Sequence, residues 1–386
     1  MMMQETVRFE QEQQDMSREQ LVAELFFEQE HSLISGAYKH GFMRTVYSVA
    51  RALLPRTGLS SPALPTFSPG ETVAIAFFEN EYQAVLRNQQ AAGINRVIRL
   101  NLHDLPIIRQ ALGWRGTIRE LAYFVRASIR RRGLGALRTL GMPALGWLLY
   151  KALCQQWRGI HQLRVATTNM QHPVSVGVVH AALACGHRTL YVEHASTTLA
   201  VFNDRGYELL VVELPHTRAL LESAGVARSR ILLLRDGPDL VAMPIQRPIR
   251  TVGLCVNDLD SMGAVHRMVQ TLCDLGIHLT LRVHDSDRRI EAFRSLAKKF
   301  GLLFSSARES RIEAFLDTVD LLIAGNSNVL ADALRAGKPA IHYWEGAEDA
   351  FDYYGLVAHY RLAFARNAAQ LAELVAPSAA SSVSTS

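Results

Sequence analysis

Short apolar runs alternate with longer segments of helical periodicity along most of the chain. The short runs predict β-strands at 72–78, 95–100, 163–168, 188–193, 208–213, 231–234, 251–256, 278–283, 302–304, 321–324 and 340–343. The longer segments predict helices at 81–92, 174–184, 215–223, 260–275, 287–300, 311–318, 329–336 and 368–375. Strands separated by helices of this length favour parallel sheets that are covered on both faces.

The alternation occurs in two sets, which a segment without periodicity separates. Residues 236–250 are rich in proline and indicate an interdomain linker. A chain of 386 residues also exceeds what one hydrophobic core usually serves. We therefore predict an α/β protein in which two Rossmann-like parallel-sheet domains face a cleft, an N-terminal domain at 71–240 and a C-terminal domain at 241–376.

Three further segments lie outside the two predicted sheets. Residues 1–70 show helical spacing followed by a Pro/Ser-rich connector, which predicts a helical preface. Residues 105–160 are helical throughout and predict a helical insertion within the N-terminal domain. The Ser/Ala-rich residues 377–386 predict a disordered tail.

Composition is that of a globular protein and leaves several kinds of partner open. The formal charge of +5 comes mainly from arginine and is compatible with anionic small molecules, a membrane surface or nucleic acid. The four cysteines are far apart without metal-binding spacing, which indicates thiols in a reducing compartment. The N-terminus lacks the order of a secretory signal, and no uncharged run approaches the ~18 residues of a spanning helix.

The predicted helical insertion combines a basic cluster with an apolar stretch. Four arginines lie within 126–132, and the apolar stretch that follows carries Trp147 and Tyr150. Such a segment can lie in a membrane interface with its arginines on anionic headgroups, which makes 126–154 a candidate for peripheral contact with the inner membrane. It can equally pack on the sheet and leave a solvated basic face, so both interpretations stay open.

Candidate functional residues are those that end the predicted strands, because ligands of such sheets bind beyond the strands' carboxyl ends. They are 78–79, 169–172 and 193–197 in the first half, and 257–258, 284–285, 305–306, 325–328 and Glu345 in the second. Polar residues are concentrated there, which is partly expected because every strand ends in a loop. Histidine, carboxylate and amide groups in these places suit transfer from a nucleotide-activated donor.

Sequence motifs of several other enzyme classes are absent. Neither a G-x-G-x-x-G nor a P-loop glycine pattern occurs, which argues against dinucleotide redox enzymes and P-loop NTPases. The chain also lacks H-E-x-x-H, G-x-S-x-G and zinc-binding spacing, so hydrolase and zinc-enzyme interpretations lose support. We predict no metal ligands and little dependence on a divalent metal.

The stretch 317–345 contains a strand, the polar turn G-N-S-N at 325–328, a helix and a second strand. A helix that begins directly after a strand presents unpaired N–H groups at the sheet's carboxyl edge, where a phosphate or sugar hydroxyl can bind. An ordinary βαβ unit, whose Asn and Ser only cap the helix, gives the same pattern.

The order of elements from about 160 to 355 resembles GT-B glycosyltransferases of bacterial surface polymers. It is similar to capsule polysialyltransferases and related sialyltransferases, and to CDP-glycerol glycerophosphotransferases. The sequence L-Y-V-E-H-A-S-T at 190–197 corresponds to their base motif, V-H-D-S-D-R-R at 283–289 to their His-Pro motif, and 320–341 to their donor-phosphate block. The chain departs from the pattern at 193–195, which is neither acid-acid-Gly nor His-Gly, and at Asp285, which replaces proline.

The resemblance implies roles for individual residues. Either Glu193 or His194 is the catalytic base, and the donor-binding residues are His284, Ser306, Asn326, Ser327, Asn328 and Glu345. No cofactor is implied.

The implied activity is that of an inverting glycosyltransferase. It would move a sugar or glycerol phosphate from a CMP- or UDP-linked donor to a surface-glycan or lipid-linked acceptor, at the cytoplasmic face of the membrane and without a nucleic-acid partner. Two alternatives stay open: a nucleotide-sugar 2-epimerase on the same scaffold, and a non-catalytic homologue in a polysaccharide assembly complex.

Overall fold

The chain divides into two compact units, Met1–Arg235 and Asp236–Ser386. A computed structural model describes residues 20–26, 66–100, 106–194, 202–234, 242–246, 248–284, 287–306, 309–346 and 351–376. Most of the predicted preface, part of the predicted linker and the predicted tail lie outside the described residues.

The first unit is built on a parallel sheet of six strands. They are β1 (Thr72–Ala76), β2 (Arg96–Arg99), β3 (Arg164–Thr167), β4 (Arg188–Val192), β5 (Leu209–Val212) and β6 (Ile231–Leu233). Their order across the sheet is β2-β1-β3-β4-β5-β6, and each neighbouring pair is parallel. The order reverses between β1 and β3, and the loops after these two strands flank the place where such sheets bind ligands.

Helices connect the strands of the first unit. They are α1 (Glu79–Asn88), α2 (Pro106–Arg132), α3 (Gly141–Gln156), α4 (Pro173–Ala184) and α5 (Pro215–Ser223). Proline begins α4 and α5, where its missing N–H leaves no intrahelical bond unmade. Helix α4 contacts α3, β3 and β4 and is buried on nearly all sides, which accounts for its continuous apolar sequence.

The helical insertion consists of α2 and α3, joined by a short 3-10 helix at Leu134–Arg138. Helix α2 is kinked at Gly113, whose φ of 63° is left-handed. Helices α3 and α4 approach so closely that a Cβ atom on Gly177 would lie 2.3 Å from the carbonyl oxygen of Gly146. Glycine at this crossing therefore lets the two helices pack backbone to backbone.

The apolar part of the insertion belongs to the core. Trp147, Leu148 and Leu149 of α3 are fully buried in the same cluster as Phe124 of α2. Membrane contact through 126–154 stays a prediction, and these three α3 side chains take no part in it because the protein already covers them. The basic residues of α2 remain exposed.

The second unit is built on another parallel sheet of six strands. They are β7 (Thr251–Val256), β8 (His278–Val283), β9 (Leu303–Ser306), β10 (Leu321–Ala324), β11 (Ala340–Tyr343) and β12 (Ala363–Ala365). The order across the sheet is β12-β11-β10-β7-β8-β9, with parallel pairing throughout. The order reverses between β7 and β10, so the loops after these strands flank the position where a ligand is expected.

The connections of the second unit are also helical. They are α6 (Met262–Asp274), α7 (Ile290–Phe300), α8 (Ile312–Leu316), α9 (Val329–Arg335), α10 (Leu356–Tyr360) and α11 (Ala368–Val375). Ser261 caps α6 by accepting the backbone N–H of Ala264 at 3.1 Å. Helix α10 and the edge strand β12 were not predicted, because five and three residues are too few to show a period.

The predicted fold class is confirmed: the protein is α/β, with two Rossmann-like parallel-sheet units in the element order of the GT-B type and a helical insertion in the first. Within the part of the chain that the structure describes, no helix combines the length and the apolar character that crossing a membrane requires.

Candidate functional site

The loops after β7 and β10 meet at the strand-order reversal of the second unit. The Asn257 side-chain amide donates to the backbone carbonyl of Asn326 at 2.9 Å. A Cβ atom on Gly325 would lie 2.3 Å from Asp260 Oδ1, so the two loops can approach this closely because residue 325 is glycine. We call residues 257–260, His284 and 325–328 the second-unit site.

Arg289 fixes the β7 loop of this site. Its guanidinium donates to the carbonyl oxygens of Asp260 at 2.6 Å and Asn257 at 2.8 Å. The same guanidinium forms a two-bond ion pair with the buried Asp287 carboxylate, at 2.9 and 2.7 Å. The backbone N–H of His284 donates to the carbonyl of Val256, the last residue of β7, at 3.1 Å, so His284 lies beside the start of the β7 loop.

Three carboxylates in or beside the second-unit site, those of Asp258, Asp260 and Asp287, differ in the direction in which the protein shifts their pKa. Burial raises the pKa of Asp260 to about 6, and burial followed by the charge of Asp287 raises the pKa of the exposed Asp258. Burial alone would also raise the pKa of Asp287, but its hydrogen bonds from Arg289 outweigh burial and lower it. Asp258 and the adjacent His284 are the exposed members, which suit sugar hydroxyls and phosphate oxygens respectively.

The side chain of Asn326 is oriented by a buried histidine, His342 of β11. The side-chain oxygen of Asn326 accepts the backbone N–H of Tyr353 at 3.0 Å and lies 3.3 Å from His342 Nε2. Burial, with a contribution from Arg366, lowers the pKa of His342 to about 4. His342 is therefore neutral near pH 7 and acts as a fixed hydrogen-bonding partner that orients the β10 loop.

Ser327 and Asn328 lie at the start of α9, but the first N–H groups of that helix have local acceptors. The N–H of Val329 points to Ser327 Oγ at 3.4 Å, and that of Leu330 to the Ser327 carbonyl at 3.2 Å. The N–H of Ala331 donates to the Asn328 carbonyl at 2.9 Å. These three N–H groups are therefore already hydrogen-bonded, and a ligand at this turn would contact mainly the side chains of the turn.

Glu345 and Ser306 both lie at the carboxyl edge of the second sheet, but three strands separate β11, which Glu345 follows, from β9, which Ser306 ends. Glu345 follows β11, where its carboxylate accepts from Arg267 Nε at 2.9 Å and from the Tyr343 hydroxyl. Ser306 lies within β9 instead of after it, since that strand extends two residues beyond its predicted end. Its strand is separated from the reversal by β8, so Ser306 is not among the residues of the second-unit site.

His194 follows β4 in the first unit, beside the end of β3. Its Nδ1 lies 2.5 Å from the carbonyl oxygen of Thr168. A carbonyl only accepts, so Nδ1 carries the proton and the lone pair of the neutral ring is on Nε2. The residue is part-buried and has the tautomer that a general base requires.

Glu193, by contrast, is turned into the protein. Its carboxylate accepts the backbone N–H of Glu213 at 2.6 Å and the hydroxyl of Thr217 at 2.6 Å. Only 2% of the residue is exposed. These bonds tie the end of β4 to the first turn of α5, so Glu193 has a structural role whatever its chemical role.

His172 lies at the start of α4, opposite the end of β1. Its ring packs edge-on against Phe78 with 5.1 Å between ring centroids. Burial lowers the pKa of His172 to about 4, so the ring is neutral and buried near pH 7. The buried His172 thus follows β3, which borders the strand-order reversal of the first sheet. The part-buried His194 follows β4, the next strand.

Two Asp-x-Asp sequences end strands β7 and β8, at 258–260 and 285–287, although no metal ligand was predicted. Paired carboxylates can hold Mg²⁺. Asp260 is buried against the Asn257 N–H and Asp287 is paired with Arg289, while Asp285 lies outside the described residues. No group of three or more metal-ligating side chains is found in the described ranges.

Sequence analysis did not identify Asp260, Arg289 or His342 as parts of the site. Arg289 carried a signal, because it stands two residues after Asp287 in the turn that follows β8. Nothing in the local sequence marks His342, which lies in the middle of an apolar strand and reaches Asn326 only through strand pairing.

Comparison with known proteins gives similarity in structure only. No family model matches the chain, and no curated protein matches it in sequence. Similar solved structures include UDP-GlcNAc 2-epimerase from Neisseria meningitidis bound to UDP-GlcNAc, at 9% identity and a TM-score of 0.47 over 78% of this chain and 88% of that one.

Two further similar structures are a galactosyltransferase and a protein in complex with UDP and glucose. The lipopolysaccharide outer core galactosyltransferase WaaB in its apo form matches at 11% identity and a TM-score of 0.37, over 76% of this chain and 92% of that one. Anabaena Alr3699/HepE in complex with UDP and glucose matches at 12% and 0.44, over 79% and 88%. At these scores the similarities carry no argument about activity.

Proposed function

We propose that the protein is an inverting glycosyltransferase of a nucleotide-activated donor. The donor is a CMP- or UDP-linked sugar, or glycerol phosphate carried on a nucleotide, and the acceptor is a surface glycan or its lipid-linked precursor. The reaction takes place in the cytoplasm, and nucleic acid has no part in it. The solved structures named above include an epimerase and a transferase and do not choose between the two reactions.

The observation that supports this proposal is the hydrogen-bonded meeting of the β7 and β10 loops at the strand-order reversal. Open α/β sheets bind nucleotides at that point, and Asn257, Asp258 and His284 offer amide, carboxylate and imidazole groups there. His284 is exposed at the carboxyl end of β8 and would meet the donor phosphate. Asn326, Ser327, Asn328 and Glu345 complete the proposed donor set, with Ser306 at its margin.

His194 is the base in this proposal. With a nucleotide sugar as donor, the acceptor hydroxyl loses its proton to Nε2 while its oxygen attacks the anomeric carbon, and the nucleotide leaves from the opposite face with the bonding electrons. A single displacement of this kind inverts the configuration at carbon. Glu193 supports the strand end that carries His194 and takes no proton.

A thermal-shift panel of CMP, CDP, UDP and GDP tests the donor site. A nucleotide at about 100 times its dissociation constant should stabilise the protein by about 2.7 kcal/mol. His284→Ala should abolish the shift. His278→Ala is the matched control, because His278 is exposed at the amino end of the same strand, and it should keep the shift. If no nucleotide stabilises the protein, the donor site is wrong and the non-catalytic alternative gains support.

Product analysis with donor alone distinguishes the two enzymatic reactions. Released nucleotide with free sugar supports a transferase that uses water in place of its acceptor, whereas a 2-epimerised nucleotide sugar supports the epimerase. Parallel reactions with Mg²⁺ or with EDTA test the prediction of little metal dependence, which the two Asp-x-Asp sequences make necessary.

A further inference from the structure

Helix α2 presents one long face that the described residues leave uncovered. After the kink at Gly113, every fourth residue of one row is exposed: Trp114, Ile118, Ala122, Arg126 and Arg130. The adjacent row consists of Arg115, Arg119, Tyr123, Ala127 and Arg131, of which all but Ala127 are exposed. Each step of four residues advances about 6 Å along a helix and about 40° around it, so the two rows form a continuous strip about 26 Å long that winds around the exposed side of α2. We call it the α2 strip.

The charged side chains of the α2 strip are nearly all positive. Residues 114–132 contain six arginines and one glutamate, Glu120, which is partly buried against Lys151 and lies 3.4 Å from Arg119. No ion pair or hydrogen bond holds Arg126, Arg130 or Arg131 within the described residues. These three guanidinium groups therefore keep their full donor capacity for an anion outside the protein.

The arginines line a groove of about 420 Å³ together with Val22, Tyr123 and Ala127. Tyr123 is 38% exposed, and its ring stacks on the buried Trp147 with 5.3 Å between centroids. The floor is thus fixed by the core, and the rim consists of long basic side chains. A groove of this kind fits a phosphate headgroup, which arginine recognises with two parallel hydrogen bonds.

The other end of the α2 strip is apolar. Trp114 is 48% exposed and Ile118 is 64% exposed. Neighbouring large apolar side chains that are exposed on a helix surface often mark an interaction site. Trp and Ile beside a basic face are the side chains that enter the headgroup region of a bilayer.

We propose that the α2 strip docks the first unit on an anionic phospholipid surface. The arginines bind lipid phosphates, Trp114 and Ile118 insert among the headgroups, and the buried α3 takes no part. The contact needs neither donor nor acceptor. It therefore stands or falls separately from the nucleotide chemistry proposed above.

Flotation of the full chain with phospholipid vesicles tests this proposal without any nucleotide present. We expect binding to phosphatidylcholine vesicles that contain phosphatidylglycerol, and little to phosphatidylcholine alone. Each arginine near an anionic surface contributes about fivefold, so R126Q/R130Q/R131Q should lower the partition coefficient about 100-fold. Trp114→Ser with Ile118→Ser should weaken the binding that persists at high salt.

R164Q/R188Q/R228Q is the matched control, because these arginines are exposed elsewhere on the first unit and their loss removes the same charge. It should keep the binding of the unaltered protein. Equal binding of both triple variants would overturn the proposal in favour of net charge, and equal binding to neutral vesicles would overturn it outright. Self-association that only R126Q/R130Q/R131Q abolishes would assign the strip to a second copy of the chain. Circular dichroism checks that all variants fold.

Discussion

Two adjacent residues at the end of β4 take different environments. His194 is part-buried and has its Nδ1 proton fixed by a carbonyl, whereas Glu193 is buried between Glu213 and Thr217. His194→Ala should therefore leave the melting temperature almost unchanged and lower kcat by about 10²–10⁴, the usual contribution of a general base. Steady-state kinetics with a thermal melt of the same sample measures both.

Glu193→Gln is the paired variant and should behave in the opposite way. It replaces one of two accepting oxygens by an NH₂ group, and loss of a charge-assisted bond should lower the free energy of unfolding by about 1.5–3 kcal/mol. Its kcat, measured below the new melting temperature, should stay close to that of the unaltered protein. A stable Glu193→Gln enzyme without activity would instead make Glu193 the base.

Because the pKa of Asp260 is raised by burial, we expect the unfolding free energy of the second unit to depend on pH. Burial raises its pKa from 3.8 to about 6 in the folded state. Between those values the folded protein keeps the proton and the unfolded chain loses it, so the unfolding free energy falls as pH rises from about 4 to about 6. The loss through this group is about 3 kcal/mol. Denaturation curves of Asp260→Asn should lack that part of the decline, and curves with the same slope in both proteins would contradict the assignment.

At the scale of elements, a helical turn at 20–24 is fastened to the first unit by one carboxylate. Glu24 accepts from Arg205 Nε at 2.7 Å and lies 2.8 Å from His180 Nε2 of α4. The Arg205 side chain is only 2% exposed. Burial alone would raise the pKa of Glu24, but His180 and Arg205 outweigh burial and lower it to about 2.

Glu24→Gln should destabilise the first unit by about 3–5 kcal/mol, because the buried guanidinium of Arg205 would lose the carboxylate charge that accepts from its Nε. In the unaltered protein this stabilisation is complete above about pH 4.5 and is lost as pH falls towards 2, a slope that the variant should lack. Urea denaturation at several pH values measures both effects.

Glu208→Gln is the control for this prediction. Glu208 pairs with Arg188 at 2.8 Å, but the two side chains are 41% and 61% exposed. Water screens such a pair, so the change should stay below about 1 kcal/mol. Equal losses of unfolding free energy from both substitutions would mean that Glu24, with His180 and Arg205, stabilises the protein no more than an exposed ion pair does.

At the scale of the whole molecule, the second unit has a complete sheet and a core of its own. Residues 236–386 should therefore fold when expressed alone and unfold in one cooperative transition. Circular dichroism during urea titration tests this, and a gradual transition would contradict it. The isolated unit should also keep the nucleotide-induced shift if the donor site is formed within it.

The sequence predicted the second unit well because its periodicity is local. Four strands, β7, β8, β10 and β11, have the predicted ends, since each is a short apolar run between turn residues. Three helices of the second unit, α6, α7 and α8, begin one to three residues later than predicted. Helix α7 begins at Ile290 because Asp287 and Arg289 bind each other in the preceding turn. Side-chain pairing of this kind competes with helix formation and leaves no periodic signal.

The sequence by itself determined the α/β class, the two sets of strands and the candidate residues at strand ends, because alternation and turn chemistry depend on neighbours along the chain. Only the tertiary structure decided that the order reverses between β7 and β10, that Glu193 is buried beside a part-buried His194, and that α3 lies in the core while one side of α2 is exposed. Those facts depend on contacts between residues that are distant in sequence. A local pattern fixes which residues are apolar or polar, but strand pairing and helix packing decide which of them meet.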